Sequence, residues 1–193
     1  MKKNVVIILI IVAALVLWGV SMYNSLVSSE EAVLSQWSNV ENQYQRRADL
    51  IPNLVATVKG YAAHERGTLE EVVQARAKAT QITVDANSLT PEKLQQFQQA
   101  QGELSAALGR LLMIAENYPD LKANQNFIEL QAQLEGTENR IAVERNRFNE
   151  MARNYNASIR RFPKSIIAAL FGFEKKPYFE AEAGTEKAPE VEF

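Results

Sequence analysis

The sequence predicts an all-α protein: an N-terminal transmembrane helix followed by an elongated antiparallel four-helix bundle with coiled-coil-like seams. Three observations carry this. Residues 5–23 are uncharged and overwhelmingly apolar. Ala, Leu, Gln, Glu and Arg are abundant, whereas only six prolines and eight glycines interrupt 193 residues. Apolar side chains recur in alternating steps of three and four along three separate stretches, the spacing of a helix-packing seam.

The run VVIILIIVAALVLWGVSMY is close to the ~20 residues that span a bilayer as a helix. The competing reading is a cleaved signal peptide, but such cores run about 7–15 residues and precede a small-residue cleavage site, which VSMYNS does not supply. Lys2 and Lys3 precede the run, and no Lys or Arg follows until Arg46. The positive-inside rule then places the N-terminus in the cytoplasm and the rest outside, as a single-pass protein of the bacterial cytoplasmic (inner) membrane. Trp18 and Tyr23 lie where amphipathic rings favour the far interface.

Beyond the membrane, positions 30, 33, 37, 40, 44, 47, 51, 54, 58 and 61 form the first seam, with Glu30 and Arg47 its polar members. Pro52 follows Ile51 in this helix. It either kinks one continuous helix or sits in the first turn of a new one capped by Asp49. At HERG the helix is predicted to end with Gly67 as a left-handed cap, and Thr68 with Glu71 to form a capping box for a second helix reaching about Asp85. Thr90 and Pro91 open a third helix, whose seam is Leu94, Phe97, Gln101, Leu104, Leu108, Leu111, Ala115 and Tyr118. The last and longest segment, 121–161, repeats Phe127, Leu134, Ile141, Phe148, Tyr155 and Phe162 at seven-residue intervals.

Up-down-up-down order sets the last helix antiparallel to the first, with Phe162 returning to the membrane near Leu26. This register brings Glu144 within a turn of Arg47, and the two are expected to pair and fix the bundle's register. The alternatives are a solvent-directed Arg47, or pairing with Glu41 or Asp49. Helices two and three are too short to cover the whole length of the other two. Val33, Trp37, Val40, Tyr44, Phe148, Tyr155 and Phe162 are therefore the candidate oligomer or bundle seam, with more apolar surface than two helices bury, which in the first case is exposed for a neighbouring subunit to cover.

The boundaries that follow are a cytoplasmic stub and transmembrane helix (1–23), an extracytoplasmic bundle (24–162), an amphipathic membrane-proximal segment (163–179) and an acidic tail (180–193) expected to be disordered. In the third of these, Ile166, Ile167, Leu170, Phe171 and Phe173 lie between Lys164 and the pair Lys175 and Lys176. They read either as an interfacial helix in contact with membrane lipid or as a core cap or subunit contact. Asn139, Asn146, Asn149 and Asn156 share one side of the last helix, as a plain polar surface or as a second, hydrogen-bonded interface.

Chemistry is harder to find. With no cysteine there is no thiol nucleophile, disulfide or thiolate metal site. His64 has no second histidine at ligand spacing, and its place near a helix C-terminus has an electrostatic explanation. No phosphate loop or GxSxG elbow occurs, and a net charge of −2 without a basic, aromatic-laced patch excludes a nucleic-acid surface. The sequence therefore predicts no enzyme activity, no cofactor, no metal and no small-molecule substrate.

The segments RRADLIPNLVATVKGYAAHE and ENYPDLKANQNFIELQAQLEGTENRIAVERNRFN, the FP at 162–163 and the terminal PEVEF resemble the LemA family of bacterial membrane proteins across nearly the whole chain. The resemblance implies an anchored helical bundle of the cell envelope without established catalytic activity. It also implies genetic proximity to HtpX-type membrane proteases or TPM-domain proteins. Two functions follow as expectations: a scaffold that self-associates at the outer face of the membrane, with a role in envelope organisation or maintenance, or a monomeric or dimeric adaptor or sensor that presents its bundle to another envelope protein such as a membrane protease.

Overall fold

The computed structural model describes residues 2–180. Its elements are α1 (Lys2–Tyr61), α2 (Arg66–Gln81), a 3-10 turn (Ala86–Ser88), α3 (Pro91–Ala115), the single turn α4 (Pro119–Lys122), α5 (Gln125–Arg160) and α6 (Lys164–Phe171). Among the described residues there is no β-strand. Helix α1 is long and apolar enough over its first part to cross a membrane, and from Val5 to Val20 its large apolar side chains are uncovered by the rest of the protein. From Leu26 onward the same helix turns amphipathic, and Leu26, Val33, Trp37, Val40, Tyr44, Ile51, Leu54 and Val58 are buried.

Helix α5 runs antiparallel to α1, as the pairs Gln36 with Glu144, Arg47 with Glu138 and Tyr61 with Asn124 show. Helices α2 and α3 also lie antiparallel, joined by Lys78 to Glu103 and Arg110 to Glu71, and α2 packs on the half of α1 distant from the apolar run. Thr90 caps α3, its side chain accepting from the Lys93 N–H, with Pro91 at the first helical position as predicted. Asn124 caps α5 in the same way through Phe127 N.

Several local expectations need correction. No Thr68–Glu71 capping box forms, because α2 already begins at Arg66 and these residues lie inside it; the position before it, Glu65, makes no side-chain cap. Gly67 is helical and caps nothing. The left-handed glycine is Gly172, at the end of α6. Helix α2 stops at Gln81, four residues early, because Val84 and Leu89 are drawn into the core as the chain crosses to α3. The segment after Pro119 is a separate turn, and the long helix begins at Gln125.

Pro52 does not end α1, which passes through it unbroken. Proline deprives the carbonyl four residues earlier, Ala48 O, of its helical donor. Arg76 of α2 supplies the replacement, its Nε donating to Ala48 O at 2.7 Å. The proline thus creates an acceptor that docks the neighbouring helix. Arg76→Met should cost about 1–2 kcal/mol by orphaning this carbonyl, whereas in a Pro52→Ala background the cost should largely vanish because the substituted residue restores the helical donor. A double-mutant cycle by thermal denaturation checks this, and additive losses would refute it.

Candidate functional site

Two polar constructions and one apolar patch stand out. The first surrounds Arg47, only 1% exposed although it sits on a helix seam. Its Nη1 donates to Ser105 Oγ at 2.7 Å and Glu138 Oε2 at 2.9 Å, and its Nη2 donates to the side-chain and main-chain oxygens of Gln101 at 2.7 and 3.2 Å. The guanidinium also lies 5.2 Å from the centre of the Tyr44 ring. Gln101 passes the connection on by donating to Ala79 O at 3.3 Å, so one cation ties α1, α3 and α5 together and reaches α2.

The predicted partner Glu144 is therefore wrong. The observed register, kept by Trp37 with Phe148 and Tyr61 with Asn124, sets Glu138 level with Arg47, three residues away from the match of Leu26 with Phe162. Gln101 and Ser105 draw the fork towards Glu138, and Glu144 is engaged by Gln36 at 2.6 Å and Arg147 at 2.8 Å. Gln101, a polar member of the α3 seam, is the acceptor that a polar residue on the α1 seam requires.

The second construction lies in the half of the body nearest the apolar run. Val33, Trp37, Val40, Tyr44, Phe148 and Tyr155 are all buried within one chain, so the expected exposed seam does not exist. Leu94 and Phe97 of α3, Val84 and Leu89 of the crossing, Ala168 of α6 and Phe179 cover it. Beyond α6 the chain reverses at Gly172, and residues 173–180 lie as a strap along α1 and α5. Phe179 stacks on Trp37, with ring centres 5.8 Å apart and 17° between planes, and meets Phe148 edge-on at 5.4 Å.

Two asparagines hold the strap by its backbone. Asn156 donates to Lys176 O at 2.8 Å and accepts from Lys176 N at 2.9 Å. Asn149 repeats the pair on Phe179, at 2.9 and 2.8 Å. Glu180 O accepts from Gln98 and Arg145, and Lys176 Nζ reaches Glu30 at 2.7 Å above the Tyr155 ring. Burial and the nearby Glu30 carboxylate hold the Tyr155 phenol protonated, its pKa raised well above the usual phenol value. The asparagine stripe is thus a hydrogen-bonded interface, but with the chain's own C-terminal segment. Asn139 and Asn146 remain exposed.

The segment 163–179 is correspondingly not one membrane-proximal unit. Lys176 is a largely buried, paired residue, and Ile167 and Phe173 pack on the core. An apolar patch is left: Phe162, Ile166, Leu170 and Phe171 are exposed, Phe162 to 81%, while Lys175 faces solvent nearby. Phe162 leaves the seam because α5 ends at Arg160 and Arg161 turns extended. The patch adjoins the apolar run directly, since Tyr23 packs on Phe171 and Phe173 with ring centres 4.8 and 5.7 Å apart.

Among the described residues no cluster of His, Asp or Glu has the grouping of a metal site. The Glu41 carboxyl has a raised pKa, pushed up by burial and further by Asp85. A raised folded-state pKa favours folding below the unfolded value of 4.5, a benefit lost as pH rises through the folded value. Glu41→Gln should therefore raise the melting temperature at pH 7, with the gain shrinking to nothing below about pH 4.5. A gain that persisted at pH 3.5 would refute this origin.

A family model described as "LemA family" matches residues 36–193, most of the chain, from the second half of α1 onward. The chain belongs to the LemA family. It is 29% identical to magnetosome protein MamQ of Magnetospirillum gryphiswaldense over 84% of this chain and 66% of that protein. It is 28% identical to MamQ 2 of Paramagnetospirillum magneticum over 82% of this chain and 64% of that protein. Protein LemA of Metamycoplasma hominis is 24% identical over 82% of this chain and 68% of that protein. The chain thus spans slightly less than two thirds of the length of the magnetosome relatives.

Proposed function

We propose that this LemA-family protein is a non-enzymatic, membrane-anchored helical scaffold. It self-associates at the outer face of the bacterial cytoplasmic membrane and serves envelope organisation or maintenance. The observation that carries the reading is the continuity of α1, which joins a bare apolar run to the core of the helical body with no linker between them. Residues 5–23 serve as the anchor, with the N-terminus cytoplasmic by the positive-inside rule. The exposed patch of Phe162, Ile166, Leu170 and Phe171 rests in the lipid interface, supported by its ring contacts with Tyr23 and by Arg160, Arg161 and Lys175 for anionic headgroups. The antiparallel pairs α1/α5 and α2/α3 support a four-helix bundle as the body.

Burial of the α1/α5 seam within one chain favours a second reading, a monomeric or dimeric adaptor that offers its distal surface to another envelope protein. Mass measured by light scattering in mild detergent separates the two. The scaffold reading expects a regular multiple of the protomer mass. A single protomer leaves the adaptor, and a protein that stays dispersed without detergent overturns the anchor.

A further inference from the structure

The groove between α1 and α5 is built as a site for an extended peptide. Asn149 and Asn156 are two helical turns apart, ~10.5 Å along α5, and the residues they hold, Phe179 and Lys176, are three apart, ~10 Å in an extended chain. An asparagine every seventh residue therefore keeps step with every third residue of an extended strand. Each engages both main-chain groups of its residue, so this grip is indifferent to side chains. Selectivity comes from an aromatic anchor at position 179, seated against Trp37 and Phe148, and a cation three residues earlier, at Glu30.

We propose that this site takes residues 173–180 of a second copy of the chain, so that copies exchange straps. The proposal rests on the self-association reading above. Three features support it. The bonds that hold 176–180 are made to α1, α3 and α5, whereas the strap's own tether is α6. Every one of those bonds can thus be made equally well in a neighbour, which is the condition for exchange of an identical element. The strap leaves α6 through Gly172 at φ 74°, a residue without the side chain that restricts reorientation. Finally, an anchor that fixes each copy at one height brings a neighbour's strap to the level of the groove and raises its effective concentration.

The test uses full-length protein and the absence of native cysteine. Two differently tagged copies, one Glu30→Cys and one Lys176→Cys, are co-expressed and treated in membranes with a short bis-maleimide, with the Glu30→Cys/Lys176→Cys double variant as the control for closure within one chain. Exchange predicts a product carrying both tags, in yield within about twofold of the control. Copies that co-purify but give less than a tenth of the control yield would overturn exchange while leaving self-association intact. Copies that do not co-purify would overturn both. Should the cysteine variants fold poorly, charge reversal gives an independent reading: Glu30→Lys and Lys176→Glu copies, each destabilised alone, should recover their melting temperature only when mixed, and failure to recover refutes exchange.

Discussion

Trp37→Ala is expected to lower stability by about 3–5 kcal/mol, roughly 6–20 °C in melting temperature for a chain of this size. The side chain is fully buried and contacts Phe97, Phe148 and Phe179 with ring centres 5.4 to 5.8 Å away, while its Nε1 donates to Val84 O at 3.1 Å. Truncation leaves a cavity at the meeting point of α1, α3, α5 and the strap, and orphans a carbonyl of the crossing between α2 and α3. Phe179→Ala removes a comparable volume but should cost less. A non-helical strap tethered through Gly172 can peel away from the helices, so its loss is bounded by the free energy of docking. Hydrogen exchange separates them: Phe179→Ala should deprotect the strap while the distal helices stay protected, whereas Trp37→Ala should weaken both. Equal, global deprotection by both would show that the strap is not an independently released element.

The second large effect is expected at Arg47. Arg47→Met gains apolar contact but leaves the Gln101 side-chain oxygen and Ser105 Oγ without their donor, while the Gln101 main-chain oxygen still accepts from the Ser105 hydroxyl; the cost of about 1–3 kcal/mol should prevail because Gln101 is buried. Glu138 returns to water at little cost, being about half exposed already. Glu138→Gln should then cost about 1 kcal/mol, since the guanidinium keeps its neutral acceptors. Thermal melts of an Arg47/Glu138 double-mutant cycle should show coupling near 1 kcal/mol, and an Arg47/Glu144 cycle should show none. A more stable Arg47→Met protein would mean that the buried cation is dispensable, as buried ion pairs sometimes are.

What could be read in advance follows from how local each signal is. Period and capping are written in neighbouring residues, so the apolar run, the α1 seam from Val33 to Val58 and the Thr90–Pro91 start of α3 were legible. The partner of Arg47 was not, because matching Leu26 with Phe162 puts Glu138 and Glu144 equally far from it, whereas Phe162 leaves the seam and the real register, three residues away, sets Glu138 level with Arg47. Helix α3 carried a signal nonetheless: a glutamine on an apolar seam, paired with an arginine on another, marks polar partners that need each other. Pro52 likewise announced a vacant acceptor at Ala48, although nothing local pointed to Arg76 as its donor. The seam is covered because the crossing between α2 and α3 and the non-helical strap, through Phe179, add to the cover that a count of helices supplies. The expectation of disorder for 180–193 lies, beyond Glu180, outside the described residues.

The unbroken α1 also makes the protein a lever. Between Tyr23 and Tyr61 the helix extends about 57 Å, so each ~10° of tilt in the span sweeps its far end sideways by roughly 10 Å. A span that leans to match a thinner bilayer would move the tip by a sizeable fraction of its own width. On the anchored reading proposed above, the Tyr23–Phe171 contact and the α6 patch would sit at the fulcrum, where membrane thickness would be converted into lateral position.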